Sequence, residues 1–282
     1  MSSIMLSAPR ATGGRDGRVK VEQRQPTPAL RDIIRSFSER TARLGAASVS
    51  APLPARPDPF IEFYLQDRYA VSHDGGPAQA TPEVVFVGPQ SYRGTRLTLS
   101  GEIHVLTIRF QPGGFHALFG MPMVELVDQG LAVTDVLGPR GTALRDVILS
   151  ARDFDARIAA AEAWLADQLA DAARPDRICA LARALRRSGG RIAIQRLAAA
   201  SGLGSRQFTR RFETQIGLTP KVFARTVRLN AVLDAKARYP TTAWTALVHD
   251  AGYADQAHFV RDCRELAGDA PGRFFAEWQQ CR

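Results

Sequence analysis

A chain of 282 residues, 45% hydrophobic and 23% charged, is long enough for two domains with ordinary cores, and its composition excludes wholesale disorder. No apolar run approaches the roughly 18 to 20 residues that cross a bilayer, and residues 1–21 lack the apolar core of a secretory signal, so the expectation is a cytoplasmic protein with no membrane partner. The net charge of +9 is unevenly placed: residues 176–282 hold 18 Lys and Arg against 9 Asp and Glu, while residues 1–175 hold 19 against 19, so the whole excess sits in the final third, as nucleic-acid binding requires.

Residues 1–27 combine Gly13, Gly14, Gly17 and Pro26 with few apolar side chains and read as a mobile tail. Leu30, Ile33, Ile34 and Phe37 follow the i, i+3, i+4, i+7 pattern and predict a short helix over 29–40. From 52 to 110 the character changes to short apolar or alternating runs, at 60–65, 69–72, 83–87, 96–99 and 103–110, separated by Pro and Gly. That punctuation predicts a small antiparallel barrel or sandwich.

Within this part His73, His104 and His116 stand singly and no His-x-His occurs, so no metal site is predicted. There is no Gly-x-Ser-x-Gly elbow, P-loop or dinucleotide fingerprint either. The chain is therefore read as a non-enzyme, with no catalytic residue and no cofactor. Glu62, Arg93, Arg109 and His116 could line a pocket, but nothing in the sequence assigns them a role.

Pro112-Gly113-Gly114 ends a strand, and Phe115, Leu118 and Phe119 begin a helix that caps one sheet edge. From 142 to 172 the period is helical, with Phe154, Ile158, Ala161, Leu165 and Gln168 on one stripe and Asp153 placed as N-cap. This helix either packs on its own sheet or pairs with a second protomer in a homodimer. The boundary falls at 172–175, with Pro175 opening the next helix. Cys179, Cys263 and Cys281 are odd in number and form no CxxC, so they read as reduced thiols.

The C-terminal third is organised by a spacing pattern that occurs twice. Phe208, Phe212, Gly217, Pro220 and Phe223 are followed 51 positions later by Phe259, Cys263, Gly268, Pro271 and Phe274. Apolar residues four apart face one way on a helix, and the glycine five residues on supplies a left-handed stop. Each copy is preceded by an Ala-rich apolar run, a glycine turn at Gly202 or Gly252, and an N-cap candidate, Ser205 or Asp255. This is helix, turn, helix, written twice. Off the apolar stripe lie Arg206, Gln207, Thr209, Arg210 and Arg211 in one copy, and Gln256, Ala257, His258, Arg261 and Asp262 in the other. Arg pairs with guanine and Gln with adenine in the major groove. Between the copies, Thr219 as N-cap and Pro220 in the first turn start a helix of about 18 residues, roughly 27 Å long. Such a rod could set two recognition helices about one DNA turn apart.

These residues resemble the DNA-binding domain of AraC/XylS-family transcription regulators. The Leu197-Ala198 pair, the Gly202-Leu203 turn, Arg210-Arg211-Phe212, the stop from Gly217 to Pro220, Arg228-Leu229 and the run from Ala251 to Phe259 carry the resemblance, while Cys263 stands where the family usually has Phe. It implies base contacts by Arg206, Thr209, Arg210, Gln256, Ala257, His258 and Arg261, with Arg211, Lys221 and Arg225 as phosphate contacts or solvated charge. Further upstream, the stretches from Val87 to Tyr92 and from Ile108 to Gly120 resemble an N-terminal domain of one branch of that family, which implies a cupin-like effector-binding or dimerisation domain.

The expected protein is thus α+β with two domains. A mobile tail over 1–27 precedes a cupin-like β-barrel or sandwich with flanking helices over 28–174, and 175–282 form an all-α domain with two helix-turn-helix motifs. The partners implied are double-stranded DNA, a small-molecule effector and RNA polymerase. The competing readings are a repair-type or cupin enzyme fused to a DNA-binding domain, against which residues 1–178 contain no Cys, and an architectural DNA binder without sequence preference.

Overall fold

The computed structural model describes residues 19–91, 94–170 and 172–279. Most of the predicted tail, Arg93 and Cys281 lie outside the described residues. Eight strands make up the N-terminal sheet: β1 (Lys20–Arg24), β2 (Ile34–Pro52), β3 (Phe60–Tyr64), β4 (Ala70–His73), β5 (Gln79–Ala80), β6 (Val84–Val87), β7 (Thr95–Phe110) and β8 (Gly130–Ala132). Their order is β1-β2-β7-β3-β6-β8, with β4 pairing β5 and β7.

Two sequence expectations need correction here. Lys20–Arg24, placed in the tail, is an edge strand paired with residues 37–41 of β2. The helix predicted over 29–40 is a 3-10 turn at Pro28–Leu30 followed by β2. Leu30, Ile33, Ile34 and Phe37 are all buried, but the long antiparallel ladder from Ile34 to Pro52 along β7 overrides the local helical spacing.

The runs predicted at 96–99 and 103–110 are one strand. Gly101 (φ 70) and Gly45 (φ 58) face each other where the ladder shifts register, and their left-handed backbone lets both strands bend without interruption. The ribbon folds over at that point, since Leu97 and Leu99 from one half share a buried cluster with Tyr64, Val85 and Val105 from the other. Although folded over, the sheet is not closed into a barrel, and β1 and β8 remain its two ends. The barrel expectation is corrected accordingly.

Helices cover the other face: α1 (Gly114–Phe119), α2 (Val133–Leu137), α3 (Pro139–Leu149) and α4 (Phe154–Ala170). Phe154, Ile158, Ala161 and Leu165 of α4 join Ile61, Phe63, Leu106, Ile108 and Phe110 of the sheet in one core. The α4 stripe therefore belongs to its own domain and is not open to a second protomer. Its fixing point is polar: Arg157 donates from Nε and Nη2 to the two Glu39 carboxylate oxygens at 2.8 and 3.0 Å, and His104 Nε2 lies 2.8 Å from the same carboxylate.

The C-terminal domain contains α5 (Arg177–Arg187), α6 (Ile194–Ser201), α7 (Ser205–Ile216), α8 (Pro220–Arg238), α9 (Trp244–Asp250), α10 (Gln256–Ala267) and α11 (Pro271–Trp278). Asp176, one residue beyond the predicted Pro175, caps α5 by accepting from Ile178 and Cys179 N–H. Two cores flank α8. Phe208, Phe212, Ile216 and Phe223 fill the first, and Phe259, Cys263, Leu266, Phe274 and Trp278 fill the second. Trp244 packs 5.7 Å from Phe259 and 5.4 Å from Phe275, which adds aromatic bulk to this second cluster.

The two domains meet along residues 53–58, which leave β2 and lie between the sheet and the helices. Ala55 N–H donates to the Leu266 carbonyl at 2.7 Å, and Asn230 Nδ2 donates to the Ala55 carbonyl at 2.8 Å. Asp58 pairs with Arg35 of β2 at 2.7 Å and with Arg186 of α5 at 2.6 Å. Further ties are Arg183 with Asp32 at 3.2 Å and Arg96 with Glu277 at 3.0 Å.

Candidate nucleic-acid interface

The repeat is visible in the burial pattern: residues 191–200 and 241–250 have the same degree of burial at every position. Each helix pair turns at a left-handed glycine, Gly202 (φ 74) or Gly252 (φ 81). Asp255 caps α10 by accepting the His258 N–H at 2.7 Å. Ser205 does not play that part, because the cap of α7 is Gly204 without a side-chain bond. The second helices end at Gly217 (φ 92) and Gly268 (φ 99), where a side chain would be strained. Thr219 caps α8 by accepting the Val222 N–H at 3.1 Å, as its sequence position predicts.

With Phe208, Phe212 and Ile216 buried on one side of α7, Arg206, Gln207, Arg210 and Arg211 are exposed and Thr209 is half-buried. With Phe259, Cys263 and Leu266 buried on one side of α10, Gln256, Ala257 and Arg261 are exposed and His258 is half-buried. Lys221, at the start of α8, is exposed as well. Each second helix thus presents donors that fit base edges and phosphates, on a rigid element whose other side is core.

Two readings are corrected. Arg225, expected on phosphate or in solvent, instead ties α8 to α10. Its Nε donates to Asp262 Oδ1 at 2.8 Å, and Nη2 pairs with Glu265 as well. Asp262, placed among the outward residues of the second copy, is 1% exposed. Burial, reinforced by the Asp262 carboxylate, pushes the Tyr253 hydroxyl well above its usual range, and Arg228 lies over the Tyr253 ring at 5.2 Å. This buried polar cluster sets the pose of α10 on α8. Arg225 and Asp262 lie 37 positions apart, and the i, i+4 logic of a single helix could not connect them.

Cys179 and Cys263 are buried free thiols. Burial pushes them up to about 11 and about 12 respectively, aided by Asp176 in the first case and Asp269 in the second. Among the described residues, no three His, Cys, Asp or Glu side chains are grouped to hold a metal. No helix among them is long and apolar enough to cross a membrane.

Two copies of a helix-turn-helix, each with exposed Arg side chains on its second helix, define a protein of the helix-turn-helix class. Residues 197–277 match the family model described as a helix-turn-helix domain. This C-terminal part is a helix-turn-helix domain. Residues 22–132 match a model described as a domain of unknown function (DUF6597).

Among solved structures, the chain is similar to ToxT from Vibrio cholerae, with 8% identity, 93% of this chain and 99% of that chain covered, and a TM-score of 0.46. A second ToxT structure, bound to unsaturated fatty acid, has 9% identity, coverage of 93% and 95%, and a TM-score of 0.44. The AraC-like transcriptional activator CuxR has 10% identity, coverage of 73% and 84%, and a TM-score of 0.28. Comparison with the curated proteins finds no match.

Proposed function

We propose that the protein is a sequence-specific transcription regulator acting in the cytoplasm, in which α7 and α10 enter successive major grooves of one duplex. Arg206, Thr209 and Arg210 read base edges from α7, and Gln256, Ala257, His258 and Arg261 read them from α10. Arg211 and Lys221 hold phosphates. The observation that carries this reading is the paired helix-turn-helix with Arg side chains exposed on both second helices, in the one part of the chain that holds all the positive excess.

The N-terminal domain acts as the sensor for a small-molecule effector. Its support is mechanical: the segment at 53–58 touches α8 and α10, while α5 is held through Arg186. A change in the sheet domain is thereby coupled to the spacing of the two recognition helices. RNA polymerase contact and homodimer formation remain part of the proposal.

Selection of genomic fragments on the full-length protein, followed by sequencing, tests the reading. The expected result is an enriched site with two half-sites about 10 base pairs apart. Uniform recovery with no enriched motif would leave only non-specific DNA binding.

A further inference from the structure

The two helix-turn-helix motifs are joined by α8, yet they also touch each other directly. The first is entered through the turn between α5 and α6, where Gly190 (φ 77) sits so close to α8 that a Cβ there would meet the Ala224 carbonyl oxygen at 2.3 Å. That approach seats the turn on the rod. The second motif has its own turn between α9 and α10, ending in Gly252 and Tyr253. Two arginines connect these turns.

Arg191 leaves the first turn and lays its stem across the second, since a Cβ on Gly252 would lie 3.0 Å from Arg191 Cγ and 3.1 Å from Cδ. Its guanidinium then bridges two helix ends. Nε donates to the Ser188 carbonyl at the end of α5 at 2.8 Å, and Nη1 donates to the Asp250 carbonyl at the end of α9 at 3.3 Å. Carbonyls at a helix C-terminus lack intrahelical partners and carry the negative end of the dipole, so one guanidinium can serve both. From α8, Arg228 donates from Nη2 to the Gly190 carbonyl at 3.1 Å, while its guanidinium carbon lies 5.2 Å from the centroid of the Tyr253 ring. Tyr253 in turn meets the His258 ring edge-on at 5.1 Å, in the first turn of α10. The equivalent of Arg191 in the second copy, 50 positions on, is Thr241, so the long arm belongs to one copy only.

We propose that Arg191 and Arg228 form a cross-brace that fixes the distance and twist between α7 and α10, and that this brace sets the single half-site spacing the protein accepts on DNA. The inference goes beyond the reading of α7 and α10 as the two groove-entering helices, and it rests on that reading. Without the brace each motif is held to α8 through its own core alone, and the turns between helices are where hinge motion is absorbed. With it, turning one motif against the other breaks the bonds to Ser188, Asp250 or Gly190. One base pair moves a half-site by about 3.4 Å and about 35° around the duplex, which is more than a hydrogen bond stretches. A braced head therefore loses the base contacts of one recognition helix when the spacing changes.

The test uses the full-length protein and the site it enriches, resynthesised with one base pair added or removed between the half-sites. Wild type should bind the altered duplexes roughly 30-fold more weakly, the scale of losing base contacts at one or two positions, and Arg191→Met/Arg228→Met should reduce that penalty to about threefold. Arg191→Met alone removes an exposed guanidinium and keeps a stem over Gly252. It should fall between the two and melt with wild type, so it carries the test if the double variant does not fold. A second measurement needs no DNA: spin labels at Gln207→Cys and Ala257→Cys, both exposed, in a Cys281→Ser background. The label distance should be narrowly distributed with the brace intact and broader in both brace variants.

An equal one-base-pair penalty in all three proteins overturns the proposal, and so does an unchanged distance distribution. Arg191→Met binding that weakens uniformly on every duplex, with a salt slope smaller by about 1, also overturns it, because Arg191 is then a phosphate contact. A wild-type protein that enriches no bipartite site sinks the two-groove reading and the spacing rule with it, whereas the distance distributions alone decide whether the two turns are braced.

Discussion

Replacing Asp58 by Asn tests how firmly the two domains are joined. Asp58 is 3% exposed, with Arg35 at 2.7 Å and Arg186 at 2.6 Å. Removing one partner of a buried ion pair costs about 3 to 5 kcal/mol, because the remaining charge stays buried and unpaired. The carboxamide oxygen can still accept one hydrogen bond, which favours the lower figure. Each kcal/mol moves Tm by about 2 °C in a chain of this size, so Asp58→Asn should melt roughly 6 °C lower.

Calorimetry on the full-length protein provides the assay. A double-mutant cycle with Arg186→Met separates the pair from other effects, since removing both charges should recover part of the loss. Limited proteolysis near 172–175 should speed up in the single variant. An unchanged Tm together with additive single and double effects would refute the argument that Asp58 locks the domains.

Arg210→Ala should lose roughly 1 to 3 kcal/mol on the selected site and relax preference at one base position, measured by competition binding; equal weakening on random duplex would make Arg210 a phosphate anchor. Arg225→Met should lower stability by about 3 kcal/mol, because Asp262 is left buried without its partner, and footprinting should show the half-site contacted by α10 lost first. Burial of Glu39 opposes ionisation, but the bonds from Arg157 and His104 hold its carboxyl below the usual 4.5. Its contribution is therefore complete above that value and is lost as pH falls through the lower folded value. Unfolding curves should show a shallower acid loss in Glu39→Gln, with lower stability at pH 7. Cys179 and Cys263 should resist alkylation until urea is added, with modified peptides located by mass spectrometry.

The C-terminal domain was legible because its chemistry is local. Apolar residues four apart, a glycine stop and a Thr219-Pro220 start each lie within one turn of helix, and the offset of 51 puts them in two copies. The outward residues followed from the same spacing, apart from Arg225 and Asp262. Their partnership crosses from α8 to α10 and depends on how those helices pack.

The N-terminal part was legible only as a succession of strands. Ile33, Ile34 and Phe37 satisfy helical spacing and strand burial equally well, and pairing with β7 decides between them. Lys20–Arg24 looks like a tail in isolation, since an edge strand is defined by its neighbour. Residues 54–59, Pro-Ala-Arg-Pro-Asp-Pro, signal a break in secondary structure, but no local pattern indicates that Asn230, Leu266 and Arg186 lie on the other side. Arg109 carried no assignment for the same reason, because its burial beside the Phe60 ring is a property of the folded interior.

The segment at 53–58 also limits how freely such proteins can be recombined. A chimaera that joined this reading head to a foreign receptor at residue 175 would preserve every helix, yet it would leave Asn230 and the Leu266 carbonyl facing a loop that did not co-evolve with them. A working graft would need to transplant the Ala55 strap along with the helices it braces.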